Sequence, residues 1–540
     1  MPKISINERD LTTVALENVT NNVVYIPGYA ITGPINTPTL CSTLDEFKQL
    51  FGELPYVFRN SYDYLSSFDL DSRSNAGSFI NVDSYEKSYM MASELVSNGL
   101  PVLFERYVPG DIELAFTAFK DFGTLQVKAK YPGSAGNLIK CKVSLEDEDS
   151  QIYRIEVQID KNEVGIKPLD LETYLISLDK TNSNYIGKFK SEYITINNPT
   201  EGIISSETFV NLELPERAYI DGSSRTTLRE EFEPSSFYNA LTNNKIFEKL
   251  EDKGEYQIKF ITAGGYPVFG YNSNSIVTEM LKAAGNRGDS VAIIDHTNNI
   301  SRELTGSTSV FNKLNSLSSI KIGSSSNPDD ALRYGAMFTP YASYNINTLD
   351  NRVEIMPASF AYLNSLAVSV RTNANWYAVA GVTRGLIPNL LQLSQNITGA
   401  IAETYQPTIG ISINPITNIK PYGYCIWGNR TLNKNEKGLI ASSFLNIRML
   451  ANDVKKVVYT AAKKLTFELN TDLLWLNFKS EIEPTLDKMV SGNGLTGYRI
   501  LRKTTTKRAT IEAVIRLFVV EAVEDWDITI ELSDTTVTVQ

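Results

Sequence analysis

Apolar and polar positions along the first hundred residues predict a strand, two helices and a strand. Residues 23–28 form an apolar run that ends in a Pro-Gly pair, and residues 101–107 form a second strand-like run. Two segments between these runs have apolar residues at helical spacing, at 42–52 and at 85–98. We expect 21–110 to form the first part of an α/β core.

The pattern changes over 111–235, which is rich in Lys, Glu, Asp, Ile and Tyr. Residues 151–159 alternate between apolar and polar side chains, as in a strand with one buried face. This change of composition predicts a peripheral β-rich insertion domain. The acidic run 146–149 is expected to be a solvated loop, because a calcium loop would need alternating ligands closed by a Glu.

Residues 236–411 return to alternating strands and helices and are expected to complete the α/β core. Strands are predicted at 256–261, 290–295 and 331–340, with helices at 275–284 and 357–372. The Ala-Gly-Gly-Tyr segment at 263–266 lacks the glycine spacing of phosphate-binding loops, so we expect a turn.

Residues 412–527 have an α+β pattern and are predicted to form a C-terminal domain. A helix over 443–469, with Ser443 as its cap, would place an apolar arc on one side. The opposite side would carry four basic residues: Arg448, Lys455, Lys456 and Lys463. A second helix should start at Asp472, be interrupted by Pro484 and end at 492–494, before strands at 498–503 and 510–520.

Both ends of the chain contain short alternating segments outside these compact patterns. Residues 4–7 fall in a predicted N-terminal arm (1–20), and 528–532 in a predicted C-terminal arm (528–540). A frayed terminus is the alternative for the first of them. The predicted fold class is therefore multidomain, α/β and α+β, with a β-rich insertion and extended terminal arms.

Composition excludes several functions. A length of 540 residues suggests about three domains, and no apolar run reaches the roughly 20 residues of a membrane span. The first residues lack a signal-peptide core, which predicts a cytoplasmic chain. A net charge of −11 argues against general nucleic-acid binding.

Residues that could carry chemistry are few. The chain has one histidine, His296, which we expect to be an ordinary residue at the end of a strand. Cys41, Cys141 and Cys425 lack metal or disulfide spacing and are expected to be buried free thiols. No catalytic set, cofactor site or metal site is predicted, which argues against a hydrolase.

Several segments, in order, resemble the contractile tail sheath proteins of myophages, contractile bacteriocins and related injection systems. They are 23–28 with 33–38, 42–52, 85–107, 129–137, 376–385, 414–432 and 473–532. Residues 139–235 and 301–330 match no motif of that family. The segment 414–432, with its Gly428-Asn429-Arg430-Thr431 turn, resembles the opening of the sheath C-terminal domain.

The resemblance implies a structural protein with no enzymatic activity. A sheath subunit polymerises helically around a tail tube, contracts, and links to its neighbours by strands exchanged from its arms. Here those arms would use Ile4, Ile6, Ile528, Ile530 and Leu532.

The implied partners are further copies of the chain, the tail tube, and the baseplate and terminator proteins, without direct contact to nucleic acid or membrane. The implied location is a virion tail, with the host cytoplasm during assembly.

Residues 441–530 hold 13 Lys and Arg against 11 Asp and Glu, a charge of about +2 within a chain of −11. The four basic residues on the predicted 443–469 helix are therefore candidates for contact with an acidic tube. A solvated helix face is the simpler alternative.

Alternatives of function remain open at this point. A bacteriocin or injection-system sheath would have a similar sequence. A receptor-binding protein of a tail would show repeats or a coiled coil, and neither is present.

Overall fold

The computed structural model describes residues 22–28, 30–52, 83–107, 117–147, 151–160, 169–199, 201–213, 246–265, 275–295, 317, 320–322, 329–349, 352–504 and 510–524. The predicted arm residues Ile4, Ile6, Ile528, Ile530 and Leu532 lie outside this set, as does His296.

The first described part has the predicted strand, two helices and strand, and a short strand that was not predicted precedes the first helix. Its members are β1 (Val24–Gly28), β2 (Thr39–Cys41), α1 (Leu44–Phe51), α2 (Asp83–Ser97) and β3 (Val102–Arg106). Helix α1 begins with a reciprocal cap: Thr43 accepts a hydrogen bond from Glu46 N, and the Glu46 carboxylate accepts one from Ser42 N. These bonds satisfy two amides that the helix itself cannot pair.

Residues 117–213 form two antiparallel sheets over one apolar cluster. The strands are β4 (Phe119–Phe122), β5 (Leu125–Ala129), β6 (Ile139–Asp147), β7 (Ile152–Ile159), β8 (Leu169–Ser177), β9 (Ile194–Ile196) and β10 (Val210–Asn211). The sheet orders are β4-β5-β9 and β10-β6-β7-β8. Val127, Cys141 and Ile155 are fully buried between them. The segment has its own core, as an insertion domain would.

Residues 246–426 alternate helices and strands. The elements are α3 (Ile246–Lys249), β11 (Phe260–Ile261), α4 (Ser275–Arg287), β12 (Val291–Ile294), β13 (Lys321–Ile322), β14 (Asp329–Asp330), β15 (Gly335–Thr339), β16 (Ala342–Ile346), β17 (Arg352–Met356), α5 (Ala358–Ser369), α6 (Gly381–Arg384), β18 (Leu390–Leu393), α7 (Gly399–Tyr405), β19 (Asn414–Ile419) and β20 (Gly423–Ile426).

The last described part is a helical hairpin followed by a strand hairpin. It consists of α8 (Leu445–Lys464), α9 (Asp472–Ser491), β21 (Leu495–Lys503) and β22 (Glu512–Val519). Short 3-10 helices lie at Ser134–Leu138, Ile186–Lys188, Ala331–Tyr334, Asn347–Leu349 and Ala441–Ser443.

An eight-stranded sheet organises the core in the order β2-β3-β1-β11-β12-β15-β19-β20. The six inner strands are parallel, and β2 and β20 run antiparallel at the two edges. Successive residues point to opposite faces, so Val24 and Ile26 join one apolar cluster while Tyr25 joins the other. Because both faces of the sheet are buried, the sequences of these strands are continuous apolar runs.

Two details change the expected domain organisation. Strands β19 and β20 complete the central sheet, although they follow the boundary predicted at residue 412. At the other boundary, the buried Arg106 guanidinium donates to the carbonyls of Ala30, Gly33 and Pro132, at 2.8, 2.9 and 2.6 Å. This side chain therefore fastens the 117–213 segment to the core.

The predicted strand at 256–261 is wrong before Phe260. Its carbonyl groups are instead bound by side chains: Arg287 donates to Tyr256 O at 2.9 Å, and Lys456 donates to Ile258 O at 2.8 Å. The strand predicted at 331–340 begins only at Gly335. Asp330 caps Leu332 N at 3.0 Å, which starts a 3-10 turn there instead.

Both C-terminal helices also differ from the prediction. Helix α8 starts after Phe444, because the Ser443 hydroxyl bonds to Asn435 rather than capping the helix. It ends at Lys464, before the positive φ of 75° at Phe467. Helix α9 runs through Pro484, whose ring is exposed while Ile482 and Leu486 on either side are buried. The helix therefore continues past Pro484 despite the missing amide donor.

Candidate assembly surfaces

The 414–432 segment connects the central sheet to the C-terminal helices through a buried amide. Asn414 Nδ2 donates to Met337 O at 3.1 Å and to Arg430 O at 2.8 Å, while its Oδ1 accepts from Arg430 N at 2.7 Å. A Cβ on Gly428 would overlap Gln406 and lie 2.8 Å from Asn414 Oδ1. A side chain at 428 would therefore displace Gln406 and the Asn414 amide that binds Arg430.

The next residues hold the start of α8. Asn429 and Asn446 form a reciprocal pair: Asn429 Nδ2 donates to Asn446 Oδ1 at 2.7 Å, and Asn446 N donates to Asn429 Oδ1 at 3.2 Å. Asn446 Nδ2 also donates to Trp376 O at 3.1 Å. These bonds satisfy buried polar groups and fix where α8 leaves the sheet.

Arg430 bonds to the last described segment of the chain. Arg430 is 5% exposed, and its guanidinium lies 4.7 Å from the Phe444 ring centroid and donates to Glu524. Glu524 lies just before the predicted C-terminal arm. The last described residue is thus anchored to the core through Arg430.

Helix α8 also binds the amino ends of the sheet strands through buried ions. Lys259 Nζ lies 2.8 Å from Asp453 Oδ2, with side-chain exposures of 0% and 2%. Asn452 donates to Ser290 O at 3.1 Å. Burial lowers the pKa of Lys456 to about 8, and the nearby Asp453 carboxylate opposes part of that shift.

The four basic residues predicted on one solvated face are divided by this packing. Arg448 and Lys456 are buried against the core, Arg448 with its guanidinium 4.6 Å from the Tyr334 ring centroid. Lys455 and Lys463 are exposed, and Lys455 Nζ reaches the Tyr334 hydroxyl at 2.9 Å. The expectation of a single solvated stripe is wrong, because α8 packs on both the core and α9.

The β21–β22 hairpin is a two-stranded sheet in the described part of the chain. Its inner face, with Tyr498, Ile500, Ile515 and Leu517, packs against α8 and α9. No further described strand pairs with either edge. An isolated two-stranded hairpin is marginal in water, so these edges are ready acceptors for another strand.

Residues with reactive groups are used structurally where they are described. The three cysteines are buried free thiols, as predicted, and burial raises the pKa of Cys41 and Cys141 to about 12 and that of Cys425 to about 11. Burial also raises the pKa of Asp295 to about 6, although this carboxylate caps α5 through Ser359 N at 2.9 Å. Among the described residues, no group of three acidic, His or Cys side chains could hold a metal ion.

None of the helices in the described residues combines the length and the apolar character that crossing a bilayer would require. The Gly264–Gly265 segment, for which we expected a turn, has positive φ angles of 67° and 81°.

Three residues that position the C-terminal hairpin were not predicted from the sequence. Lys259, Asn414 and Arg430 all act through partners distant in sequence. One signal was available for Lys259, a lone charge within the apolar run 258–261. Its partner could not be identified from spacing.

Sequence comparison shows similarity to phage proteins over part of this chain. No family model matches the chain. It is 27% identical over 171 residues to the tail sheath protein of Vibrio phage KVP40, covering 31% of this chain and 24% of that protein. It is 28% identical over 139 residues to the tail sheath protein of Enterobacteria phage T4, covering 25% and 20%. Part of this chain is therefore similar in sequence to phage tail sheath proteins. The matches span about a quarter of the length of these sheath proteins or less.

Solved structures share the fold of this chain over nearly its whole length. The sheath tail protein Lin1278 from Listeria innocua is 9% identical, with a TM-score of 0.55, and the match covers 93% of this chain and 98% of that one. A chain from the contracted baseplate of the anti-feeding prophage is 14% identical, with a TM-score of 0.52, and the match covers 98% of each. The mixed, multi-sheet fold predicted from the sequence is confirmed.

Proposed function

We propose that this chain is the structural subunit of a contractile tail sheath, which polymerises helically around an inner tube and contracts to drive that tube through an envelope. The observation that carries the proposal is the sequence similarity to two phage proteins named tail sheath protein. The native location would be a virion tail, assembled in the host cytoplasm, and no catalytic turnover is expected.

Strand exchange would link the subunits. The open edges of the β21–β22 hairpin would accept the arms that contain residues 4–7 and 528–532 of neighbouring copies. Main-chain bonds along an added strand hold firmly while allowing the subunits to rotate. The buried contacts of α8 with the sheet would keep the acceptor hairpin rigid on the core.

The tube is the second proposed partner. Of the four basic residues on α8, Lys455 and Lys463 are accessible, so the proposed tube contact is limited to these two. The baseplate and tail terminator would bind the two ends of the polymer. A sheath of a bacteriocin or injection system would use the same contacts.

The segment 111–235 is proposed as a peripheral domain that takes no part in polymer contacts. Its described residues contain their own apolar cluster, which supports removal as a unit. A chain lacking 115–232, with a short linker, should still assemble. Complete loss of assembly by a variant that remains folded would contradict this.

Negative-stain electron microscopy of the purified chain, alone and with its tube protein, tests the proposed function. A sheath subunit forms hollow cylinders, and contracted cylinders would be wider and shorter than those around a tube. A monodisperse protein that hydrolyses peptide, nucleotide or glycan substrates, and loses this on changing one acidic residue, would contradict the proposal.

A further inference from the structure

The outer face of the β21–β22 hairpin has an unusual arrangement of charge. Arg499 and Arg516 lie directly opposite each other in the antiparallel register, both outside the apolar inner face. Like charges in directly opposed positions destabilise a strand pair. Within the described residues, neither arginine has a carboxylate in ion-pair contact, and Arg499 lies 6.0 Å from the Phe518 ring centroid. Two charges of the same sign are thus available to a partner of opposite sign.

The two edges of the hairpin differ in the charges they present outward. On β21, the outward positions near the edge include Arg499, Leu501 and Lys503, with no acidic residue. On β22, Glu512 and Arg516 occupy the corresponding outward positions. An acidic strand would meet two positive charges along β21, but along β22 it would meet one positive charge, Arg516, and one negative charge, Glu512, which lies opposite Lys503. Charge therefore selects β21 as the edge for an acidic partner.

The chain contains one matching segment at its C-terminal end. Residues 525–540 hold four acidic and no basic side chains, and Asp527 and Glu531 are four apart, the same separation as Arg499 and Lys503. In a strand, Asp527, Thr529 and Glu531 share one face, while Ile528, Ile530 and Leu532 share the other. The N-terminal segment 3–7 carries no acidic residue and does not match.

Both faces of such a strand complement β21 at once. With Asp527 and Glu531 outward beside Arg499 and Lys503, the three aliphatic side chains would extend the inner apolar face that Tyr498 and Ile500 begin. A slip of one residue would expose the aliphatic side chains and push the carboxylates toward the apolar cluster. The charge pattern thereby fixes the register.

We propose that Arg499 and Lys503 on the edge of β21 bind Asp527 and Glu531 from the C-terminal segment of a second copy of this chain, and so determine which arm enters which edge and in what register. This inference rests on the proposed function, since it specifies the proposed strand exchange.

Charge reversal tests it in the full-length chain. We expect the Arg499→Glu, Lys503→Glu variant and the Asp527→Lys, Glu531→Lys variant each to raise the critical concentration for polymerisation by about tenfold or more at low salt, from lost and reversed ion pairs. The deficit should shrink as salt rises. Combining all four changes in one chain should restore assembly. Lys437→Glu with Lys488→Glu makes the same change in net charge as the first variant, at other exposed sites, and should assemble normally.

A mixture of the two reversed variants tests whether the pairing joins two copies. Neither polymerises well alone, but each carries the complement of the other, so an equimolar mixture should assemble. Rescue by the fourfold variant with no rescue in the mixture would place the pairing within one copy and overturn the inference. Absence of rescue in both would also overturn it.

Truncation after residue 524 separates the inference from the proposed function. If truncation abolishes cylinders while charge reversal has no effect, the arm links subunits without this charge recognition, and the inference is wrong. If truncated chains still form cylinders, the C-terminal strand exchange itself is wrong.

Discussion

Lys259 Nζ and Asp453 Oδ2 lie 2.8 Å apart in a buried ion pair that joins the central sheet to helix α8, across 194 residues of sequence. Asp453→Ala would leave the Lys259 ammonium buried without its counter-ion. We expect the free energy of unfolding to fall by about 3–5 kcal/mol, measured by urea denaturation. Glu481→Gln, which breaks the exposed Lys464–Glu481 pair of 3.0 Å, should cost at most about 1 kcal/mol. Equal effects of the two changes would contradict a buried, stabilising contact.

The pKa of Lys456 predicts a pH dependence of stability. The folded-state pKa of about 8 is below the ordinary value of 10.5. Between these values the unfolded chain holds more protons, so the free energy of unfolding should rise with pH across that window because of this group. The slope should not exceed about 1.4 kcal/mol per pH unit.

Lys456→Met provides the comparison for that slope. Other titrating groups contribute to both proteins, so the wild-type curve minus the variant curve should rise across this range. A flat difference curve would show that Lys456 remains charged in the folded chain, held by Asp453 and Asp289.

Much of the core could be predicted from sequence, and the reason is physical. Strands buried on both faces have continuous apolar runs, and the cap of the first helix at Thr43 lies next to the helix in sequence. The helical-wheel prediction for α8 was wrong because it assumed one buried face, whereas α8 packs against both the core and α9. Lys456 and Ile258 meet only in three dimensions, so no spacing rule could place them together.

The Gly428 turn gives a prediction about the segment most similar in pattern to sheath proteins. Gly428→Ala would push a methyl group into Gln406 and Asn414, displacing the amide that holds Arg430. We expect a loss of about 1–3 kcal/mol in unfolding free energy. Gly497→Ala is the matched control, since its nearest neighbour would be Phe518 at 3.9 Å. Similar stability of the two variants in denaturant would refute close packing at 428.

Tube docking should depend on the exposed pair of lysines on α8. Reversing Lys455 and Lys463 to Glu should leave cylinder formation by the chain alone intact, yet abolish its assembly around the tube. Each exposed charge is worth up to about 1 kcal/mol, and repetition along the polymer multiplies the effect. Co-sedimentation with tubes measures it. A double variant that still coats tubes at moderate salt would leave these lysines as a solvated face.

The terminal arms should hold the polymer together, because each would add about four to five main-chain hydrogen bonds worth roughly 1 kcal/mol apiece to a neighbour's hairpin. Deleting residues 1–20 should leave thermal unfolding of the core unchanged and yield a soluble monomer without cylinders. Ile528→Pro should have the same result, because proline removes a ladder donor and resists pairing within a sheet. Ile528→Val keeps the donor and the β-branched shape, so it should assemble normally. Cylinders of normal length from the deletion or the proline variant would mean that the subunits are joined by their side-chain surfaces and not by exchanged strands.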